Sequence, residues 1–399
     1  MGIVTGYLRS LNTNQLDPYP VHKLKRVDRP TTRIDDHLIK RIDGRDSGFN
    51  KASRGEYGLH LQEEMSRNSC KYPLGGTFDM MQDHLRDCDQ FNNPVANHKA
   101  PISNDPVVIT RHIKELAYFL RSDLVGICEL PSYAVLSHHI SHGRPVECHH
   151  KYAIAILIDQ DWKTSEASYG NDWISGAQSY IGYSTSGFIA HILADYIRGL
   201  GYPALASYSN SYQVAVPPIL LWAGLGEMSR IGDCVVNPFL GPRFKAAVVT
   251  TDLPLVIDKP IDFGLQDFCS KCKKCARECP SSALSFGEKE YYKGYERWPL
   301  DVKKCVSMRA ANKVGVNCGT CMTVCPWNKP FTPFHRFIQW SMRNIPVSRN
   351  FAVWCDDLMG YGKPNLSNKW WLDLENVDGK LEIPKFAGSR RGKNLRHKK

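Results

Sequence analysis

Apolar positions along the chain fall into three regimes. From residue 1 to about 105, polar residues and turn formers dominate, and apolar periodicity is brief, as in Arg33-Ile-Asp-Asp-His-Leu-Ile-Lys-Arg-Ile-Asp-Gly-Arg-Asp46. Such a pattern reads as segments wrapped around a core built elsewhere. From about 106 to 265 the signals turn globular. Tyr152-Ala-Ile-Ala-Ile-Leu-Ile158, closed by Asp159, predicts a buried strand. Ile189, Leu193, Tyr196 and Ile197 share one face of a helix expected from about 186 to 198, stopped by Gly199 and Gly201. A short strand follows at 204–208, Pro217-Pro218 opens a second helix where a missing amide is tolerated, and 246–251 reads as another strand. The alternation is too irregular for a doubly wound sheet and predicts an α+β core with a mixed or mainly antiparallel sheet. A cysteine-rich insert at about 266–330 and a Trp-rich carboxyl-terminal wrap over 331–399 complete this organisation.

Length and composition narrow the class. A chain of 399 residues suggests two or three units, and 42% apolar with 23% charged residues is that of a globular protein with a sizeable core. No apolar run approaches the roughly 18 residues that span a bilayer, and the first residues carry neither a basic region before an apolar stretch nor a twin-arginine pair. The expectation is a cytoplasmic protein; the alternative is an exported, membrane-associated form whose leader has been removed. Arg390, Arg391, Lys393, Arg396, Lys398 and Lys399 concentrate more than half of the net charge of +11 at the carboxyl end. Such a tail is ordinarily a solvated end, so nucleic acid is not the expected partner, and docking of an acidic electron carrier is another reading.

The cysteines carry the chemistry. Cys269-x2-Cys272-x2-Cys275-x3-Cys279-Pro280 has the spacing of a bacterial ferredoxin run, in which three close thiolates clasp one cubane and the fourth ligates a second cluster. Structural zinc instead pairs cysteines as two C-x2-C knuckles. A second array, Cys318-x2-Cys321-x3-Cys325-Pro326, lacks the leading cysteine, and Cys305, twelve residues upstream, is its natural replacement. Crossed ligation then predicts one [4Fe–4S] cluster on Cys269, Cys272, Cys275 and Cys325, and another on Cys279, Cys305, Cys318 and Cys321. Two adjacent clusters form an electron relay. Cys70, Cys88, Cys128, Cys148, Cys234 and Cys355 are scattered and read as ordinary buried thiols. The histidines of His138-His139-x2-His142 and Cys148-His149-His150 lack clean ligand spacing and are read as lining a cofactor cavity or a loop surface.

A ferredoxin needs about sixty residues, so the remainder must position what the electrons serve. Leu200-Gly-Tyr-Pro-Ala204, Ala223-Gly-Leu-Gly-Glu227, Thr251-Asp-Leu-Pro-Leu255, Asp258-Lys-Pro-Ile-Asp-Phe-Gly264 and the two cysteine arrays resemble the cobalamin-dependent reductive dehalogenases, closely over about 150–330 and loosely beyond. That resemblance implies a nitroreductase-like, corrinoid-binding α+β core over 106–265 beside a ferredoxin-like insert with two [4Fe–4S] clusters. It also implies a base-off corrinoid, and the Asp-x-His-x-x-Gly motif of proteins that supply a lower histidine is absent, since Asp35-Asp-His37 is followed by lysine at position 40. By motif position it implies Tyr183 as proton donor, Lys245 as its cationic support and Asn210 as a third active-site residue. A cation beside a phenol stabilises the phenolate left after proton donation. Arg243, two residues before Lys245, could share or take its role.

The implied reaction is reductive cleavage of a carbon–halogen bond in a small organohalide, with two electrons from an external donor such as ferredoxin or flavodoxin; a homodimer is one assembly the reading allows, and the oligomeric state stays open. Tyr169, Trp173, Trp354 and Trp371 are candidate pocket walls. The rival readings are an epoxyqueuosine reductase, which shares the corrinoid-plus-two-cluster plan but acts on transfer RNA through an acidic donor, and a non-catalytic electron-transfer or corrinoid-trafficking protein.

Overall fold

The computed structural model describes residues 16–67, 71, 73–88, 93–168, 170, 174–311, 318–369, 371 and 375–382. Tyr169, Trp173, Cys70 and the basic tail lie outside them. At the centre is a four-stranded sheet in the order Leu124–Glu129, Tyr152–Asp159, Phe244–Thr251, Ala204–Tyr208, antiparallel at every pairing. Its inner strands are apolar on both faces because both faces are covered. Ile154, Ile156 and Ile158 point into a layer with Ile189, Leu193 and Ile197. Ala153, Ala155 and Leu157 point into a second layer that includes Ile219, Leu220, Phe268 and Trp327. The strands expected at 152–158, 204–208 and 246–251 are therefore present, as is the Pro-initiated helix, Val216–Trp222.

The helix expected from 186 starts twelve residues earlier and runs Ile174–Gly199. Its first half contains Gly176, Gly182 and several serines, weak helix formers that pulled the expected start downstream. Residues Ile174 to Ser179 and Gly182 are buried, and packing of that face overrides local propensity. The amino-terminal region, expected as wrapping segments, contains more helix than its sequence suggested: Gly48–Ser53, Leu59–Ser66 and Pro73–Cys88. The last of these lies along the long helix, where Gln82 Nε2 donates to Ser184 Oγ at 2.6 Å. Isolated bridges Arg26–Ile261 and Ile34–Tyr295 tie the preceding segment to the core and to the cysteine-rich insert.

Candidate active site

Strand register and helix packing together place Tyr183 and Lys245 face to face. Lys245 is the second residue of the strand Phe244–Thr251, opposite Ile158. The long helix crosses above that strand end, and Gly182 is the point of closest approach: a Cβ there would lie 2.9 Å from Lys245 Cγ. Without it, the lysine runs past the helix and sets Nζ 4.9 Å from the centroid of the half-buried Tyr183 ring, a cation–π distance. Two other phenols flank Tyr183. Tyr212 is half-buried and donates to the Ala246 carbonyl at 2.6 Å; desolvation and the nearby Tyr183 raise its pKa well above that of a free phenol. Tyr180 is raised too, by burial and by Asp79. Both neighbours therefore hold their protons.

Arg243 does not share this position. It is buried just before the strand, with Nε 2.7 Å from Asp159 Oδ1 and Nη1 donating at 3.0 Å to both Asn328 Oδ1 and the Lys329 carbonyl. Its charge fastens the sheet edge to the loop after Cys325. Asn210 lies on the turn Ser209–Ser211, exposed, with its carbonyl accepting from Ser141 Oγ and with Tyr212 two residues on. The histidines disperse: His139 is buried and stacked on His142 with centroids 3.6 Å apart, His138 faces Asp43, and His150 Nδ1 pairs with Thr250 Oγ1 at 2.9 Å. Trp354 and Trp371, candidate walls in sequence, are 57% and 52% exposed on the surface.

The eight cysteines form two neighbouring groups. Cys269 and Cys272 lie on the helix Leu265–Cys272, capped by Gly264 in the left-handed region (φ 79°), and Cys275 follows on the turn Lys274–Arg277. Burial pushes the Cys269 thiol up, and Cys325, Cys275 and Cys272 are close enough to push it further. Around Cys305 the neighbouring thiols are Cys318 and Cys279. Cys321 feels Cys318 and Cys305, and also Cys275 of the other group, which makes it the junction. Cys279, Cys305, Cys318 and Cys321 surround a cavity of about 270 Å³ whose wall also includes Lys245 and Ser175. Among the described residues, no three His, Cys, Asp or Glu side chains converge closely enough for a single metal ion. These thiols are spread round a cavity, a donor set that suits a cubane of several irons better than one ion.

Cys234 also lines this cavity and lies near both Lys245 and Cys321, while burial raises its thiol to about 11. Sequence reasoning had placed it among the ordinary thiols, and nothing in its spacing marks it otherwise.

An antiparallel-sheet core joined to a module bearing two quartets of thiols defines an iron–sulfur oxidoreductase architecture, and residues 268–329 match the 4Fe-4S dicluster domain. The chain belongs to the reductive dehalogenase family. It is 30% identical over 322 residues to the tetrachloroethene reductive dehalogenase of Sulfurospirillum multivorans, covering 71% of this chain and 62% of that protein. It is 35% identical over 228 residues to the enzyme of the same name from Desulfitobacterium hafniense, covering 54% and 39%. A solved reductive dehalogenase described as B12-dependent superposes with a TM-score of 0.87 at 39% identity, covering 96% of this chain and 55% of the other. The chain thus spans roughly 40–60% of the lengths of these relatives. An epoxyqueuosine reductase of Aliivibrio fischeri is more distant, at 22% over 218 residues. Among the described residues no helix is long and apolar enough to cross a membrane.

Proposed function

We propose that this chain reductively dehalogenates a small organohalide, R–X + 2e⁻ + H⁺ → R–H + X⁻, on a corrinoid held in a nitroreductase-like core over about 106–265. One observation carries the reading: Lys245, stacked on Tyr183, lines the same cavity as the thiols of Cys279, Cys305, Cys318 and Cys321. The cation that supports the proton donor and the thiols of the electron source thereby face a common space. When bound, the corrinoid would supply a low-potential metal that donates electron density into the carbon–halogen bond.

The chain's own residues do the rest. Tyr183 delivers the proton to carbon from Oη, Lys245 stabilises the phenolate left behind, and Asn210 contributes to the substrate side of the pocket. The quartet Cys269, Cys272, Cys275 and Cys325 holds the outer cluster; Cys279, Cys305, Cys318 and Cys321 hold the inner one, nearer Lys245. Electrons come singly from a separate ferredoxin or flavodoxin in the cytoplasm. A neutral-phenol donor and the closer relatives favour this reading over an epoxyqueuosine reductase.

The test is anaerobic reconstitution with iron, sulfide and cobalamin, followed by viologen-driven halide release from halogenated phenols and alkenes. Tyr183→Phe should abolish release while iron and cobalamin contents stay at wild-type levels. Halide release by the phenylalanine variant at the wild-type rate would remove Tyr183 from the mechanism.

A further inference from the structure

A groove of about 530 Å³ runs between the segment around Pro20–Lys25 and the helix Pro333–Asn344. Four cations line it: Lys23, Lys25, Arg336 and Arg343. Lys25 is paired with Asp262 at 2.5 Å, but among the described residues the other three have no carboxylate partner. Both guanidinium groups instead lie over rings, Arg336 at 4.7 Å from the Phe331 centroid and Arg343 at 5.9 Å from Phe239. Arg343 is half-buried, and its Nε is buried without a hydrogen-bond partner. Arg343, partly out of water, with the like charge of the exposed Arg336 beside it and no carboxylate partner among the described residues, is costly to hold unless something else provides an anion.

The rim of the groove is apolar. Phe337 and Trp340 are 61% and 48% exposed and stacked with centroids 6.1 Å apart. The adjoining helix Ser348–Leu358 presents a second exposed stacked pair, Phe351 and Trp354. Exposed aromatics beside unpaired arginines are the composition of a protein–protein interface core, not of an ordinary solvated surface.

The groove also adjoins the relay. Its wall includes Phe263, whose ring meets Trp327 edge-on with centroids 4.9 Å apart. Trp327 is fully buried and lies two residues after Cys325. The Cys325 quartet is therefore separated from the groove by two packed rings, whereas Lys245 belongs to the cavity of the other quartet.

We propose that this groove is the docking site for a small acidic one-electron carrier protein, whose carboxylates meet Lys23, Arg336 and Arg343 and whose redox centre reduces the cluster on the Cys325 quartet. The proposal rests on the cluster assignment made above. Each docking oxidises the carrier by one electron and reduces the cluster by one, with no bond made or broken; two dockings supply one turnover. Positive charge steers the acidic carrier, and the aromatic rim excludes water once it is seated.

The experiment is anaerobic stopped-flow bleaching of the reconstituted full chain by two reductants, an acidic flavodoxin and the small cation methyl viologen. The readout is the ratio of the two rates, compared between wild type, the Lys23→Glu/Arg336→Glu double variant and Arg343→Gln. The double variant should lower the flavodoxin-to-viologen ratio about tenfold at low ionic strength, and Arg343→Gln less, with both deficits shrinking as salt screens the charges. Arg336 and Lys23 are exposed and make no ion pair among the described residues, so the variant leaves the fold's pairings intact. A ratio unchanged within about twofold overturns the docking site. Charge-dependent sedimentation with phosphatidylglycerol vesicles alongside an unchanged ratio assigns the groove to a membrane surface and equally overturns it. Failure of viologen to bleach wild type indicts the cluster assignment itself, and is distinguishable because it appears before any variant is made.

Discussion

Alanine at position 182 tests the active-site geometry with a single methyl group. The added Cβ would lie 2.9 Å from Lys245 Cγ and 3.1 Å from its Cβ. Ordinary carbon–carbon contacts are about 3.5–4.0 Å, so the pair must separate by roughly 0.5–1 Å. Rotation about χ1 moves the Lys245 Cγ but not its Cβ, so relief takes a change of the lysine rotamer together with a shift of a few tenths of an ångström between the long helix and a strand held by its pairing with Ile158. Rotating the lysine away from the helix carries Nζ off the face of Tyr183. Stability changes little: replacing a helical glycine by alanine gains about 1 kcal/mol, and mild overpacking costs about 1–3 kcal/mol. Gly182→Ala should therefore lose no more than about 2 kcal/mol in stability. Its kcat for halide release should fall about 10- to 100-fold, the scale expected of a displacement near 1 Å. The assay is viologen-driven halide release, with thermal midpoint and iron content measured on the same preparation. Combining Gly182→Ala with Lys245→Met should cost little beyond Lys245→Met alone, because both remove the same contact. A Gly182→Ala enzyme with wild-type kcat would refute the reasoning, since the methyl cannot be accommodated while the lysine stays where it is.

Three further outcomes follow from other sites. Cys325→Ala should retain about half of the iron, roughly four atoms of eight, by colorimetric iron assay and EPR spin quantitation, because only one quartet loses a ligand; full retention would remove Cys325 from the ligand set. Asp356 is buried between Lys274 and the equally buried Lys329, whose Nζ lies 2.6 Å away, so Asp356→Asn should cost about 3 kcal/mol by leaving the Lys329 ammonium buried without its counter-ion, while Lys274 keeps Asp357 at 2.8 Å; the loss reads as a lower thermal midpoint of the reconstituted protein. His139 is held near pKa 4 by burial, His142 and Arg86. Its folded form therefore resists protonation as pH falls from about 6.5 towards 4, while the unfolded form does not. Stability should drop by about 2 kcal/mol between pH 7 and pH 5, and a His139→Gln variant should lack that component in denaturant titrations.

Much of this was legible in the chain because the signals are local. The buried strand at 152–158 is a run of apolar residues that no other environment accommodates, and the cysteine spacings are fixed by how three thiolates reach one cubane. Where sequence reasoning fell short, the deciding partner lies far along the chain. Cys234 looks like any buried thiol until the strand end brings Lys245 and the short turn Thr320–Thr323 brings Cys321 beside it. Arg243 and Lys245 were alternatives as two cations two residues apart, and only Asp159, 84 positions away, claims the arginine.

The start of the long helix shows why such failures cluster at the site. Glycines and serines between 174 and 187 read locally as a loop, yet small residues are what let a helix lie against a strand end closely enough for Lys245 to pass beneath it. Gly187 serves the same packing one turn on, where a Cβ would meet the ring of Tyr208. A sequence better suited to isolated helix formation would hold the helix further from the sheet and separate Tyr183 from the lysine. Weak local propensity at this point is thus part of how the pair is assembled, and the burial of that helix face supplies the stability that propensity withholds.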